Sequence, residues 1–159
     1  MNYRKIEAAD DAAIAGIIRS NLKKFRLDLP GTAYYDPELD HLSAYYDSEP
    51  ARRSYFVAVD AGGRVVGGAG FAEFEGIEAC AELQKIYLDD SVKGRGFGKA
   101  LVRLVEDGAK AAGYKKLYLE THTNLSAAVK LYEKTGFHRV EKPCSTQHGT
   151  MNLFYLKEL

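Results

Sequence analysis

Apolar positions along the chain switch between two periods. Tyr3 to Ile6 alternates and predicts a short strand. From Asp10 or Asp11, either of which suits a cap, to about Lys24, the residues Ile14, Ile17, Ile18 and Leu22 recur at helical spacing. Phe25 to Pro37 shows no period; it holds a turn signal at Pro30-Gly31 and the run Tyr34-Tyr35-Asp36. Glu38 to Tyr46 predicts a short helix that stops before Pro50. Ser54 to Val59 and Val65 to Phe74 predict strands joined by a hairpin turn at Ala61-Gly62-Gly63, the second rich in glycine at Gly67, Gly68 and Gly70. Ala79 to Leu88 predicts a third sheet strand. A strongly amphipathic helix comes next, with Leu101, Leu104, Val105 and Ala109 on one face. Lys99, Arg103, Asp107 and Lys110 lie on the other, and Gly113 ends it. Lys116 to Glu120 reads as a strand. Asn124 or Ser126 opens a further helix that Gly136 closes, and Phe137 to Val140 and Met151 to Leu156 read as the last strands.

That order predicts an antiparallel meander followed by a β-α-β crossover, whose two strands run parallel. The fold class is α+β, three-layered, with a mixed and mostly antiparallel sheet of about seven strands and helices on both faces. A length of 159 residues fits a single domain over 1–159. The balance of 46% hydrophobic and 28% charged residues is that of a soluble globular fold. Twenty-two basic residues meet twenty-two acidic ones, which argues against a general nucleic-acid binder but leaves room for a local basic patch. The start, MNYRKIEAADDAAI, has no apolar core of a signal peptide. No stretch approaches the ~18 apolar residues of a membrane helix, and neither end carries a lipidation signal. A cytoplasmic protein with no membrane partner is expected. Cys80 and Cys144 fit no zinc or redox spacing, so reduced thiols and no metal are expected.

Val92-Lys93-Gly94-Arg95-Gly96-Phe97-Gly98-Lys99 stands between a predicted strand and a predicted helix. Its alternating glycines let the backbone bend and approach a ligand. The helix behind offers free N–H groups and the positive end of its dipole. Lys93, Arg95 and Lys99 add charge, and the whole suits a phosphate or pyrophosphate; a turn that binds nothing is the alternative. A P-loop is excluded, because only three residues separate Gly94 from Gly98 and Ala100 follows Lys99. A dinucleotide fingerprint is excluded because the third glycine comes one residue early and the turn lies mid-chain.

Lys93 to Gly98 resembles motif A of the GNAT superfamily of N-acetyltransferases, written Gln/Arg-x-x-Gly-x-Gly/Ala. It departs at the first position, where Lys93 keeps the charge but not the forked hydrogen bonding of arginine. The strand Glu82-Leu83-Gln84-Lys85-Ile86-Tyr87-Leu88 is similar to the family's fourth strand. Asn124 to Phe137, with its tyrosine at Tyr132 and its Gly-Phe exit, resembles motif B. The resemblance covers roughly residues 54–142 and is specific as a pair of motifs.

It implies an acetyltransferase that takes acetyl-CoA and transfers the acetyl group directly to a primary amine, with a small molecule as the expected acceptor. It implies that the amides from Lys93 to Lys99 hold the coenzyme pyrophosphate, that Asn124 touches the coenzyme, and that the backbone of Ile86, Tyr87 and Leu88 pairs with the pantetheine arm. Glu82 is the candidate general base, its carboxyl raised by an apolar strand; the alternative is a solvent-facing strand glutamate. Glu120 on the partner strand and His122 compete for that role. Tyr132 is the candidate acid, although Ala128, Leu131 and Tyr132 also make a core-like stripe. Asn124 suits an N-cap as well. The acceptor pocket is expected between Phe25–Tyr46 and Cys144–Asn152, where Tyr34, Tyr35, Asp36, Asp40, His41, Gln147 and His148 supply polar and aromatic groups. A non-catalytic acyl-CoA sensor on the same fold is the alternative function, and a homodimer is compatible with the resemblance.

Overall fold

The computed structural model of the chain describes residues 1–143 and 146–159. Its strands are β1 (Asn2–Lys5), β2 (Ser54–Val59), β3 (Val65–Glu73), β4 (Cys80–Leu88), β5 (Lys116–Thr121), β6 (His138–Val140) and β7 (Leu153–Glu158). The α-helices among the described residues are α1 (Asp11–Lys24), α2 (Leu42–Asp47), α3 (Phe97–Ala111) and α4 (Ser126–Lys134). The strands form one sheet in the order β1-β2-β3-β4-β5-β7-β6. All neighbours are antiparallel except β4 and β5, which α3 joins as the expected crossover.

Period-two alternation divides the side chains between two cores. From β2, Tyr55, Val57 and Val59 pack with Ile14, Ile18 and Leu22 of α1. Ala58 points the other way, toward Leu101, Val102 and Val105 of α3. Each large apolar side chain so buried contributes about 1.5–3 kcal/mol. Among the described residues, no helix is long and apolar enough to cross a membrane.

Several expected boundaries shift for identifiable reasons. Asp10 gives α1 no side-chain cap. Its carboxylate is held by Arg4 at 2.6 and 3.0 Å and by the Glu7 amide at 2.8 Å. The helix expected over Glu38–Tyr46 is a 3₁₀ turn, Leu39–His41, followed by α2. Asp11 starts α2 by accepting from the Ser43 amide and hydroxyl. The last strand opens at Leu153 rather than Met151. Asn124 is no N-cap, since α4 begins at Ser126 behind Leu125.

Two glycines of β3 make room for a pair of tyrosines. A Cβ on Gly68 would stand 2.5 Å from Tyr55 Cε1, and one on Gly70 would stand 2.5 Å from Tyr55 Cδ2 and 3.2 Å from Tyr46 Cε1. Bare backbone at these positions lets both rings lie against the sheet, where they are buried. From there the Tyr55 hydroxyl donates to the Lys85 carbonyl and the Tyr46 hydroxyl to Gln84 Oε1, each at 2.8 Å.

Candidate active site

The parallel strands β4 and β5 pair only through Cys80–Lys116, Ala81–Leu117 and Glu82–Tyr118. Beyond Glu82 they separate. On its other side β4 carries a bulge: Gln84 pairs with Gly70 and Tyr87 with Gly68, so Lys85 and Ile86 together face Ala69. Lys85 sits at φ +52°, a left-handed conformation that costs a non-glycine residue roughly 1–2 kcal/mol. Two anchors hold it there. Tyr55 holds its carbonyl, and its buried ammonium pairs with Asp36 at 2.7 Å and Glu38 at 3.3 Å. Between the parted strands runs a cleft of about 470 Å³, walled by Ile86, Tyr87 and Leu88, Thr121, α4 and the glycine turn.

At one end stands that turn. Gly94 and Gly96 adopt φ of +74° and +86°, which glycine tolerates and side chains resist. A Cβ at either would meet nothing within 4 Å. The first turn of α3, with Gly96 as its N-cap residue, therefore presents its amides without hindrance, as a pyrophosphate requires. Lys93, Gly94, Gly96, Gly98 and Lys99 line the cleft, whereas Arg95 and Phe97 do not; the Arg95 guanidinium lies over the Phe97 ring at 5.2 Å. Lys93 is already engaged. Its Nζ donates to Asn21 Oδ1 at 2.5 Å, pairs with Asp90 at 2.7 Å and faces the Phe25 ring at 5.4 Å.

Toward the other end lie the groups with acid–base chemistry. Tyr132 on α4 is 5% exposed and lines the cleft. Its ring meets Phe137 edge-on. Among the described residues no protein group takes its hydroxyl, and burial pushes the phenol up, with Tyr87 adding to the effect. Glu82 is half-buried beside a small cavity of about 50 Å³. Its Oε1 accepts from Gln84 Nε2 at 2.6 Å. Burial, aided by the charge of Glu120, lifts its carboxyl to about 7 against the pull of Gln84. Burial also raises Glu120, whose Oε2 accepts from the Tyr118 hydroxyl at 2.9 Å. His148 stands between two carboxylates, with Nε2 at 2.8 Å from Asp36 and Nδ1 at 3.6 Å from Glu120. Burial opposes its charge, but Asp36 outweighs burial and raises the imidazole. Asp36 itself stays low, because His148 and Lys85 outweigh its own burial.

The structure thus brings Glu120, Tyr132, Ile86, Tyr87, Leu88 and most of the glycine turn around one cleft, with Glu82 on the small cavity that shares Glu120 with it. Asn124 stands apart, exposed, its Nδ2 donating to the Phe25 carbonyl at 3.0 Å. His122 is occupied in accepting from the Asn124 amide and does not line the cleft. Of the expected acceptor run, Asp36 points inward, while Tyr35 is 61% exposed and Asp40 pairs with Arg19 at 2.7 Å. Cys80 is buried and its thiol is pushed up to about 12, so it is no nucleophile at neutral pH. Cys144, expected as a free thiol and as one edge of the acceptor wall, lies outside the described residues.

Sequence reasoning passes over Lys85 and Asn21. Each leaves a signal: a polar residue on an inward-facing period. Lys85 falls between Leu83 and Tyr87 on the alternating face of β4, and Asn21 continues the Ile14–Ile18 face of α1. Asn21 stitches three parts together. Its Nδ2 donates to the carbonyls of Ile17 at 2.9 Å and Leu88 at 3.0 Å, and its Oδ1 receives Lys93.

Comparison with known proteins agrees with this geometry. The model of the acetyltransferase (GNAT) family matches residues 18–137. An Escherichia coli protein, the uncharacterized N-acetyltransferase YjgM, is 36% identical over 159 residues, covering 98% of this chain and 93% of its own. An L-methionine sulfoximine/L-methionine sulfone acetyltransferase of Pseudomonas aeruginosa is 28% identical over 129 residues, 69% of this chain and 74% of its own. Among solved structures, the PaiA N-acetyltransferase of Thermoplasma acidophilum in complex with coenzyme A superposes with a TM-score of 0.76 at 18% identity, over 99% of this chain and 98% of that one. A Sinorhizobium meliloti phosphinothricin acetyltransferase in complex with acetyl-CoA gives 0.77 at 23% identity, over 99% and 88%.

Proposed function

Since the chain belongs to the acetyltransferase (GNAT) family and is an acetyl-CoA-dependent N-acetyltransferase, we propose that it acetylates the primary amine of a small molecule, with Glu82 as general base and Tyr132 as general acid. The observation that carries this reading is the parting of β4 from β5 after Glu82. The cleft that runs from the glycine turn past Tyr132 then adjoins the small cavity beside Glu82, the two sharing Leu83, Lys85, Tyr87, Glu120 and Met151 in their walls.

The coenzyme brings its acetyl group as an activated thioester. The chain's own groups manage protons. Glu82, poised near neutrality, takes a proton from the acceptor ammonium. The freed nitrogen bonds to the acetyl carbon as the carbon–sulfur bond breaks. Tyr132, whose hydroxyl has no protein partner among the described residues, gives its proton to the departing sulfur, and the second amine proton restores the phenol. One proton, left on Glu82, returns to solvent. Burial of both groups favours their neutral forms, which suits a tyrosine that donates and a carboxyl that must release its proton at each cycle.

The cavity of about 50 Å³ beside Glu82 supports a small acceptor. The relative that acts on L-methionine sulfoximine and L-methionine sulfone supports an amino-acid-like one. A carboxyl raised to about 7 also favours catalysis over coenzyme sensing, which needs no base. The test is thiol release from acetyl-CoA with a panel of small primary amines that includes L-methionine sulfone. Amine-dependent release that rises with pH through about 7 supports the reading. Release only with peptide substrates, or with no amine at all, refutes it.

A further inference from the structure

Glu120 is a second buried carboxylate that the proton transfers assigned to Glu82 and Tyr132 leave unused. Its side chain is only 4% exposed. Oε2 is satisfied by the Tyr118 hydroxyl. Oε1 is buried and closes no hydrogen bond of ordinary geometry among the described residues, although the His148 backbone amide also faces this carboxylate. The nearest cationic group, His148 Nδ1, stands 3.6 Å away, too far for a hydrogen bond. Glu120 also lines both the long cleft and the small cavity beside Glu82, so it borders the space where coenzyme and acceptor must meet.

The charges around it do not balance. Lys85 is committed to Asp36 and Glu38. His148 is committed to Asp36 at 2.8 Å. Among the described residues, four carboxyl groups therefore share two close cationic side chains, with exposed Lys142 acting on Glu120 only from farther off, and the pair without a close counter-charge is Glu82 and Glu120. A buried carboxylate oxygen left unpaired bears its desolvation cost uncompensated. What the pocket lacks is a positive N–H donor reaching Oε1.

Building on the acetyl-transfer reading above, we propose that Glu120 anchors the acceptor as an ammonium ion through Oε1, and thereby restricts acceptors to aliphatic amines that are protonated in solution. Glu120 holds the cation, and Glu82 removes its proton once it is held. Aromatic amines, neutral at pH 7, and alcohols of the same shape bring no charge to the orphaned oxygen and are discriminated against. The discrimination follows from a buried polar group that only the right partner satisfies.

The test uses a pair of probes with the same heavy-atom shape, propylammonium and n-propanol. Each is titrated by ligand-observed NMR into the coenzyme A-loaded protein and into its Glu120→Gln variant. Propylammonium is expected to bind the wild type more tightly than n-propanol and to lose roughly tenfold or more in the variant, as when a buried charge loses its partner. The alcohol is expected to change by less than about threefold, since it makes no charge-assisted bond. Equal losses for both probes, or no loss for propylammonium, overturn the anchor. So does n-propanol binding the wild type as tightly as propylammonium, a comparison that needs no variant and stands even if Glu120→Gln does not fold. Coenzyme A is titrated separately. If it fails to bind, the acetyl-transfer reading falls and this inference with it; if it binds and amines are acetylated without charge preference, only the Glu120 anchor falls.

Discussion

The coenzyme end and the acceptor end of the cleft are made in different ways. The first is one short run, Lys93 to Lys99, leading into α3, and its working parts are backbone amides exposed by left-handed glycines. The second draws Asp36, Glu82, Lys85, Glu120 and His148 from separate segments; the His148–Asp36 contact alone spans 112 residues of sequence. At the proposed coenzyme end, affinity is expected to come from open backbone geometry at Gly94 and Gly96. At the acceptor end, burial lifts the carboxyls of Glu82 and Glu120, whereas ion pairing overrides it at Asp36, Lys85 and His148. The contrast implies that affinity for coenzyme and rate of transfer are separable by mutation.

The largest expected effect tests the first half of that contrast. Gly96→Val places a β-branched residue at φ +86° and fills the open turn. Coenzyme A affinity measured by calorimetry is expected to fall about a hundredfold or more, because backbone strain and a blocked anion site act together. Retained affinity would end the claim that these amides do the binding.

Glu82→Gln comes next and tests the other half. Turnover is expected to fall about a hundredfold, within the usual range for a general base, with coenzyme affinity little changed. The wild-type limb that rises through about 7 should vanish. Stability moves in the opposite sense. Because the folded carboxyl is raised from the ordinary 4.5 to about 7, the native state holds a proton that the unfolded chain releases. Its contribution is complete at acidic pH and is lost as pH rises through that window. Glu82→Gln should therefore melt higher than wild type at pH 8 and alike near pH 4, which pH-dependent thermal unfolding would check.

A smaller effect is expected of Tyr132→Phe. It should lower turnover about tenfold while leaving coenzyme affinity and melting temperature nearly unchanged, since the tyrosine hydroxyl makes no protein hydrogen bond among the described residues. Full activity would return Tyr132 to the core. The mildest is Asn21→Ala, which leaves the Leu88 carbonyl and Lys93 without a shared partner. Roughly 1–2 kcal/mol of stability and a few-fold in coenzyme affinity are expected to go. A change in the pH profile instead would show the two ends to be coupled.

The same contrast explains what is legible in the sequence. The order of strands and helices, the crossover and the anion turn are each encoded within a few consecutive residues, where period and glycine spacing speak directly. Glu82 and Tyr132 are legible because they lie inside motifs of that kind. Asn124 has the look of a cap, but its amide is drawn across the fold to Phe25, and nothing near it in sequence announces that contact. Lys85 escapes notice because a lysine on a strand usually faces water. Its burial depends on a bulge in β4, on two acids that precede it by more than forty residues and on a tyrosine beneath it.

That tyrosine rests on Gly68 and Gly70, which line neither the cleft nor the small cavity. Even one added methyl group there would push Tyr55, and at Gly70 Tyr46 as well, off positions from which they steady Lys85 and, through Gln84, Glu82. Trimming the tyrosines to make room would surrender those hydroxyls. The middle of β3 is therefore a place where drift is checked by contacts made elsewhere: descendants of this chain can widen that strand only by disturbing the surroundings of Lys85 and Glu82.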